Sequence, residues 1–328
     1  LKLKRPFRVA YGEAKVKKNH FISINNRSFG ESSGSVYYGP KEDEIKNDLE
    51  TGIDYFLSQN KLLPENLEEI NGLDINRVSK AGLIGAVLHE LSYKNKIYPW
   101  QIIGLEEPSK INTSYTVSID DPDKMYDEIT GSPYPIIKIK MGVDGDEILM
   151  ERLKRISGKN FRIDANGGWS LEKAEKMIYY ASRLGVNIVE QPTGVEFVRE
   201  WKYLKKCGNV SFLLDEGLNT LDDYNLYSEH IDGINIKMAK TGGIVEAVKL
   251  ARQAKKDKKK VMLGCMIESS VSIASSVYLS SLADLFDLDG PLLLKEDIAD
   301  GIKYNVDNIY VDEDIIGGPI IRKVYLND

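Results

Sequence analysis

Residues 136–142 read I-I-K-I-K-M-G, and the runs F-R-I-D at 161–164 and I-V-E at 188–190 follow at intervals of roughly 25 residues. Each is a short, β-branched apolar run that closes on a charged residue. That is the pattern of a buried parallel strand whose last side chain reaches a polar rim. The same texture extends in both directions, with 116–119 before it and 212–215, 233–238, 261–266 and 285–289 after it, and helical patterns lie between the runs. Eight runs predict repeated βα units closing into a barrel, with the chemistry at the C-terminal strand ends.

The first hundred or so residues have a different texture, two short strands followed by helices. The run 21–24 is β-branched and bounded by Asn25 and Asn26, which predicts a strand. Apolar residues recur at three-and-four spacing in 41–58 (Ile45, Leu49, Ile53, Phe56) and in 76–93 (Val78, Ala81, Ile84, Val87, Leu91), which predicts two amphipathic helices. The expected division is a small α+β unit at 1–110, the barrel at 111–300, and a closing segment at 301–328. That last segment is strand-like around 309–311, has turn residues at Gly317, Gly318 and Pro319, and is expected to return to the first unit.

A chain of 328 residues suits a large barrel plus a smaller domain. Its formal charge of -6 gives no reason to expect nucleic acid or an anionic membrane as partner, so a small molecule is the expected one, and a homo-oligomer is compatible with the sequence. Cys207 and Cys265 are far apart and outside any C-x-x-C spacing, which suggests neither a disulfide framework nor a zinc site and points to a reducing, cytoplasmic setting. No apolar run approaches the roughly 20 residues that span a bilayer. The chain begins at Leu1 without a methionine, which leaves room for a trimmed leader. The basic stretch 255–260 reads as the solvated end of a helix.

Asp164, Glu190 and Asp215 close successive strand candidates, so three carboxylates should stand side by side on one rim. Such a cluster repels itself unless a divalent cation neutralises it, and an all-oxygen donor set suits Mg²⁺. His20, His89 and His230 sit at no strand end, which argues against a histidine-rich metal site. Lys138 and Lys140 are two residues apart and leave the same face of one strand, while Lys237 ends a run several strands away. Lysines on opposite sides of a bound carbon acid allow one to take a proton and the other to return it from the far face, through an enediolate whose charge a metal absorbs. Racemisation or epimerisation is the expected result.

K-I-K at 138–140, D-A-N-G-G-W at 164–169, V-E-Q-P at 189–192, D-E at 215–216, I-K-M-A-K-T-G-G-I at 236–244 and R-P-F-R-V-A at 5–10 together resemble the enolase superfamily, muconate-lactonizing subgroup. The resemblance covers nearly the whole chain. It implies an α/β fold, a modified TIM barrel (β/α)7β with an α+β capping domain; Mg²⁺ on Asp164, Glu190 and Asp215; and acid/base roles for Lys140 and Lys237, with Lys138 beside them.

F-D-L-D-G-P places Asp287 and Asp289 where dipeptide epimerases carry a D-x-D, and two carboxylates there can hold the free ammonium of a dipeptide. The expected reaction is a 1,1-proton transfer at the C-terminal residue of an L-dipeptide, with alanyl-glutamate from cell-wall peptide turnover as one candidate. Thr116 and Met266 match pocket-lining positions, and Glu268 follows them. Where some relatives carry an arginine for the acidic side chain, this chain reads Tyr11, Gly12, Glu13, which leaves Lys15, Lys17 and Lys18 as substitutes or else a non-acidic second residue. An N-acylamino acid racemase or o-succinylbenzoate synthase would use the same lysines and metal without Asp287 and Asp289. A catalytically silent binding barrel is the alternative from outside enzymology.

Overall fold

The computed structural model describes residues 1–35, 39–59 and 61–326. Eight parallel strands form one sheet, hydrogen-bonded in chain order: β1 (Tyr115–Val117), β2 (Ile136–Lys140), β3 (Asn160–Asp164), β4 (Ile188–Glu190), β5 (Ser211–Leu214), β6 (Gly233–Ile236), β7 (Lys260–Gly264) and β8 (Leu285–Asp287). A parallel bridge from Thr113 to Phe286 brings the last strand back beside the first and nearly closes the barrel. Alternation explains the layering. In β2, Ile137 and Ile139 are fully buried against the outer helices, and Lys138 and Lys140, which alternate with them, face the interior.

Five of these strands stop earlier than the sequence runs suggested, β1 at Val117 rather than at 119. Asp215, Lys237, Met266 and Asp289 stand one or two residues past β5, β6, β7 and β8. Local bonds end the ladder. The Lys237 carbonyl accepts from the N–H groups of Lys240 (2.9 Å) and Thr241 (3.1 Å), starting the short helix Met238–Thr241, and the Asp215 N–H donates to the Gln191 side chain at 3.0 Å.

The N-terminal unit holds four strands rather than two. Lys2–Val9 pairs with Gly12–Val16, and His20–Ile24 pairs with Ser28–Ser32. The first pair escapes a hydrophobicity pattern because it is rich in lysine and arginine and mostly exposed. Helix α1 (Glu42–Leu57) is amphipathic as expected, burying Ile45 and Leu49. Helix α2 (Arg77–Asn95) is not. It is buried from Val78 to Ser92 on nearly every side, enclosed by the strand Ser28–Ser32, α1 and the barrel helix Met238–Thr241. Strand and helix approach so closely at Gly30 and Gly82 that a Cβ on Gly30 would lie 1.9 Å from the Gly82 carbonyl oxygen.

The C-terminal segment packs back on these elements. Asn308–Val311 pairs with Ile302–Asn305 and with Ile111–Asn112, and Ile321 joins Phe29, Val271 and Ala299 in a small apolar cluster. His89 of α2 ties the pieces together. Its Nδ1 lies 2.6 Å from the Phe29 carbonyl and its Nε2 lies 3.2 Å from the Tyr278 hydroxyl. A carbonyl only accepts, so Nδ1 carries the proton and Nε2 accepts from Tyr278. No helix among the described residues is long and apolar enough to cross a membrane, and both cysteines are free.

Two outcomes follow from this packing. Gly30→Ala should cost about 1–3 kcal/mol of unfolding free energy by overpacking, whereas Gly72→Ala, with open space around it, should be neutral in the same denaturant titration. Burial pushes the His89 imidazole down to about 4 although the Phe29 carbonyl favours its charged form. The unfolded chain therefore binds the extra proton between roughly pH 6.5 and 4, and stability should fall across that window by something on the order of 3 kcal/mol from this group. His89→Gln should flatten the acid limb relative to the parent, and equal slopes would refute the assignment.

Candidate functional site

The register of the barrel brings the charged side chains together. Lys140 pairs with Asp164 across β2 and β3, and Asp164 with Glu190 across β3 and β4, while Asp215 follows β5, whose Leu213 pairs with Glu190. The Lys138 ammonium, 2% exposed, sits among three carboxylates: Asp287 Oδ2 at 2.6 Å, Glu190 Oε2 at 2.8 Å and Asp164 Oδ2 at 2.9 Å. Lys140 Nζ lies 2.6 Å from Asp164 Oδ2, and Lys237 Nζ lies 2.6 Å from Asp215 Oδ2. Lys240, three residues further on, grips the other oxygen of Asp215 and its carbonyl. Asp215 is thus clamped between two cations.

These contacts set the proton affinities. Burial works to raise Asp164, but Lys138 and Lys140 hold it well below the usual carboxylate range; Asp215 is depressed in the same way by Lys237 and Lys240. Burial, with Asp164 next, pushes Glu190 up to about 8. Burial also works against the Lys138 charge, yet Asp164, Asp287 and Glu190 raise it well above the ordinary lysine value. Burial and the neighbouring Asp287 push Asp289 up to about 7.

Above this floor lies a cavity of about 700 Å³ walled by the barrel mouth and the N-terminal strands. Lys138, Lys140, Lys237, Thr116, Met266, Asp287 and Asp289 all line it. Asp164, Glu190 and Asp215 lie fully buried around the Lys138, Lys140 and Lys237 ammonium groups. The D-x-D carboxylates differ in their bonds. Asp287 is held by Lys138 and by the Ser114 hydroxyl at 2.7 Å, whereas Asp289 accepts the Thr116 N–H at 2.6 Å. The lysines of the N-terminal wall are engaged: Lys15 lies 3.6 Å from Glu13, Lys18 lies 3.2 Å from Glu42, and Lys17 donates to the Gly34 carbonyl.

Among the described residues no three acidic, histidine or cysteine side chains form a ready-made metal cluster, and an ammonium group engages each of the three acids. The donor chemistry nevertheless fits a hard divalent cation. All three donors are buried carboxylates on neighbouring strands, and Glu190 Oε2 has no hydrogen bond of good geometry.

Sequence reading missed several members of this site. Asn235 donates to Glu190 Oε1 at 2.8 Å, Asn166 donates to Glu216 Oε1 at 2.9 Å, and Arg162 donates to the Phe286 carbonyl at 2.7 Å. A period-2 signal was present for two of them, since Asn235 and Arg162 each precede a recognised site residue by two and share its face. Lys240 had a helical i+3 relation to Lys237.

The enolase C-terminal domain-like family model matches residues 124–302. An L-Ala-D/L-amino acid epimerase of Maribacter sp. is 31% identical over 297 residues, spanning 88% of this chain and 87% of that protein. The substrate-liganded structure of the L-Ala-D/L-Glu epimerase from Bacillus subtilis superposes with a TM-score of 0.87 at 25% identity, covering 98% of this chain and 96% of that one. A dipeptide epimerase from Cytophaga hutchinsonii, complexed with Mg and D-Ala-L-Val, gives the same TM-score at 24% identity over 100% of this chain and 94% of that one.

Lys240→Met removes one of the two cations on buried Asp215 while Lys237 stays, so it should lower unfolding stability by roughly 1–3 kcal/mol, the worth of a buried hydrogen bond to a charged group. Calorimetric unfolding checks this, and an unchanged transition would show that Asp215 does not depend on Lys240.

Proposed function

The chain belongs to the enolase C-terminal domain-like family, and from that premise we propose that it epimerises the α-carbon of the C-terminal residue of a dipeptide. It is an isomerase of the racemase/epimerase type. The observation that carries the reading is the placement of Lys140 on β2 and Lys237 just past β6. They stand four strands apart around an eight-stranded ring, so their amines reach one cavity from opposite sides. One amine removes the α-proton and the other delivers a proton to the opposite face. Lys138, pinned by three acids, stays charged and helps fix Asp164 and Asp287.

Asp164, Glu190 and Asp215 would hold Mg²⁺. When bound, the cation supplies charge stabilisation for the substrate carboxylate as the α-proton leaves. The dipeptide ammonium belongs at Asp289, with Asp287 behind it. A cation arriving there offsets the repulsion from Asp287 and keeps Asp289 ionised. Thr116 orients that carboxylate through its backbone, and Met266 contributes an apolar wall.

Incubation with a dipeptide library in D₂O and Mg²⁺ should place deuterium at the α-carbon of the C-terminal residue. Asp289→Asn should raise KM roughly 10- to 100-fold, the worth of a buried hydrogen bond to a charged group, and N-acetylation of the dipeptide should be equally harmful. If N-acylamino acids exchange and Asp289→Asn leaves them unaffected, the N-acylamino acid racemase reading replaces this one.

A further inference from the structure

The N-terminal unit does more than cover the cavity. The strand Ser28–Ser32 carries Glu31, 3% exposed, and its carboxylate rests on the N-terminus of the barrel helix Ser270–Tyr278. Glu31 accepts from the Ser269 N–H at 3.1 Å, the Ser269 hydroxyl at 2.6 Å, the Ser272 N–H at 3.2 Å and the Asn19 amide at 2.6 Å. Every partner is a donor. Although burial raises the proton affinity of this carboxyl, four donors on two oxygens favour the ionised acid.

The remaining helix-end N–H groups are satisfied locally, Ser270 by Asp297 at 3.2 Å and Val271 by the Ser269 hydroxyl at 3.2 Å. The helix N-terminus is therefore complete only when Glu31 is in place. The same unit also grips the chain two residues before Ser269, since Asn19 (3.1 Å) and Ser33 (3.2 Å) both donate to the Ile267 carbonyl. The clasped residues 267–269 directly follow Cys265 and Met266, and Cys265, Met266 and Ile267 line the cavity.

We propose that Glu31 is a positioning residue for substrate recognition: by capping the barrel helix across the domain boundary it fixes the loop after β7, and with it the Met266–Ile267 wall of the cavity. Glu31 does not line the cavity and touches no reacting atom. Its effect reaches substrate only through the loop, so it falls on KM and on side-chain preference more than on kcat. The kinetic part of the proposal rests on the epimerase reading; the clasp itself does not.

The test uses the full chain with Glu31→Gln, which keeps the side-chain shape, and Ser269→Ala, which removes the hydroxyl while leaving the backbone donor. Amide hydrogen exchange at Ser269 and Ser272 should speed up in Glu31→Gln, whether or not substrate is known. With the best dipeptide for the parent chain, KM should rise roughly 3- to 30-fold with kcat changed less, and the order of preference among second residues should shift. The double variant should fall short of the summed single effects, because the bond from the Ser269 hydroxyl to Glu31 is lost in both, although Ser269→Ala also takes the acceptor from the Val271 N–H. Unchanged exchange at Ser269 and Ser272 overturns the clasp. Faster exchange with an unaltered KM and preference, or fully additive effects, overturns the positioning role. If the parent chain exchanges no dipeptide, the epimerase reading fails, and the exchange arm still decides the clasp.

Discussion

The structure depends on a lysine that cannot leave water cheaply. Lys138 is 2% exposed and held by Asp164, Glu190 and Asp287, which come from β3, β4 and β8. Burying any one of these charges alone would cost several kcal/mol; together they satisfy one another, and the arrangement is specific because few backbone geometries bring all of them within 3 Å. The mouth of the barrel interior is accordingly a polar network, underlain by a small apolar layer of Ile188, Leu213, Met262 and Leu285. Most of the apolar mass lies outside, in the isoleucines and valines of the other strand face and the helices they meet.

That network is graded. Asp164 and Asp215 are each bracketed by two ammonium groups and remain ionised, while Glu190, beside Lys138, is pushed up to about 8 and Glu216 and Asp289 to about 7, burial being the first cause in each. Low-dielectric surroundings make each pairing strong and each omission expensive. The site therefore holds fixed charges where structure needs them and adjustable ones where an incoming cation would be received. The division within D-x-D is an instance: both carboxylates line the cavity, but Asp287 is committed to Lys138 and Ser114, whereas Asp289 is bonded to the Thr116 N–H.

The two units share this precision through apolar packing reinforced by a few polar contacts, since α2 lies against the helix Met238–Thr241 and Phe29 against Val271. Glu31 on the helix at Ser269 and His89 between Phe29 and Tyr278 both involve the strand Ser28–Ser32 or its neighbour α2. A buried strand surrounded by such fixed contacts leaves little freedom for relative motion, so the cavity wall contributed by the N-terminal unit is held with the same accuracy as the barrel floor.

The sequence alone determined the barrel, the spacing of Asp164, Glu190 and Asp215, and the shared face of Lys138 and Lys140, because strand alternation and βα recurrence are local and survive in the order of residues. It also carried the motifs that resemble the enolase superfamily and its dipeptide epimerases. The exact strand ends, the charged first hairpin and the enclosure of α2 were decided by side-chain and packing contacts that no hydrophobic period records. Only the tertiary structure gave Lys240, Asn235 and Glu31 their partners. Their bonds reach across the barrel or between domains, as Glu31 does to Ser269 over 238 residues of chain, and the energy of such a contact depends on burial that exists only once the chain has closed around it.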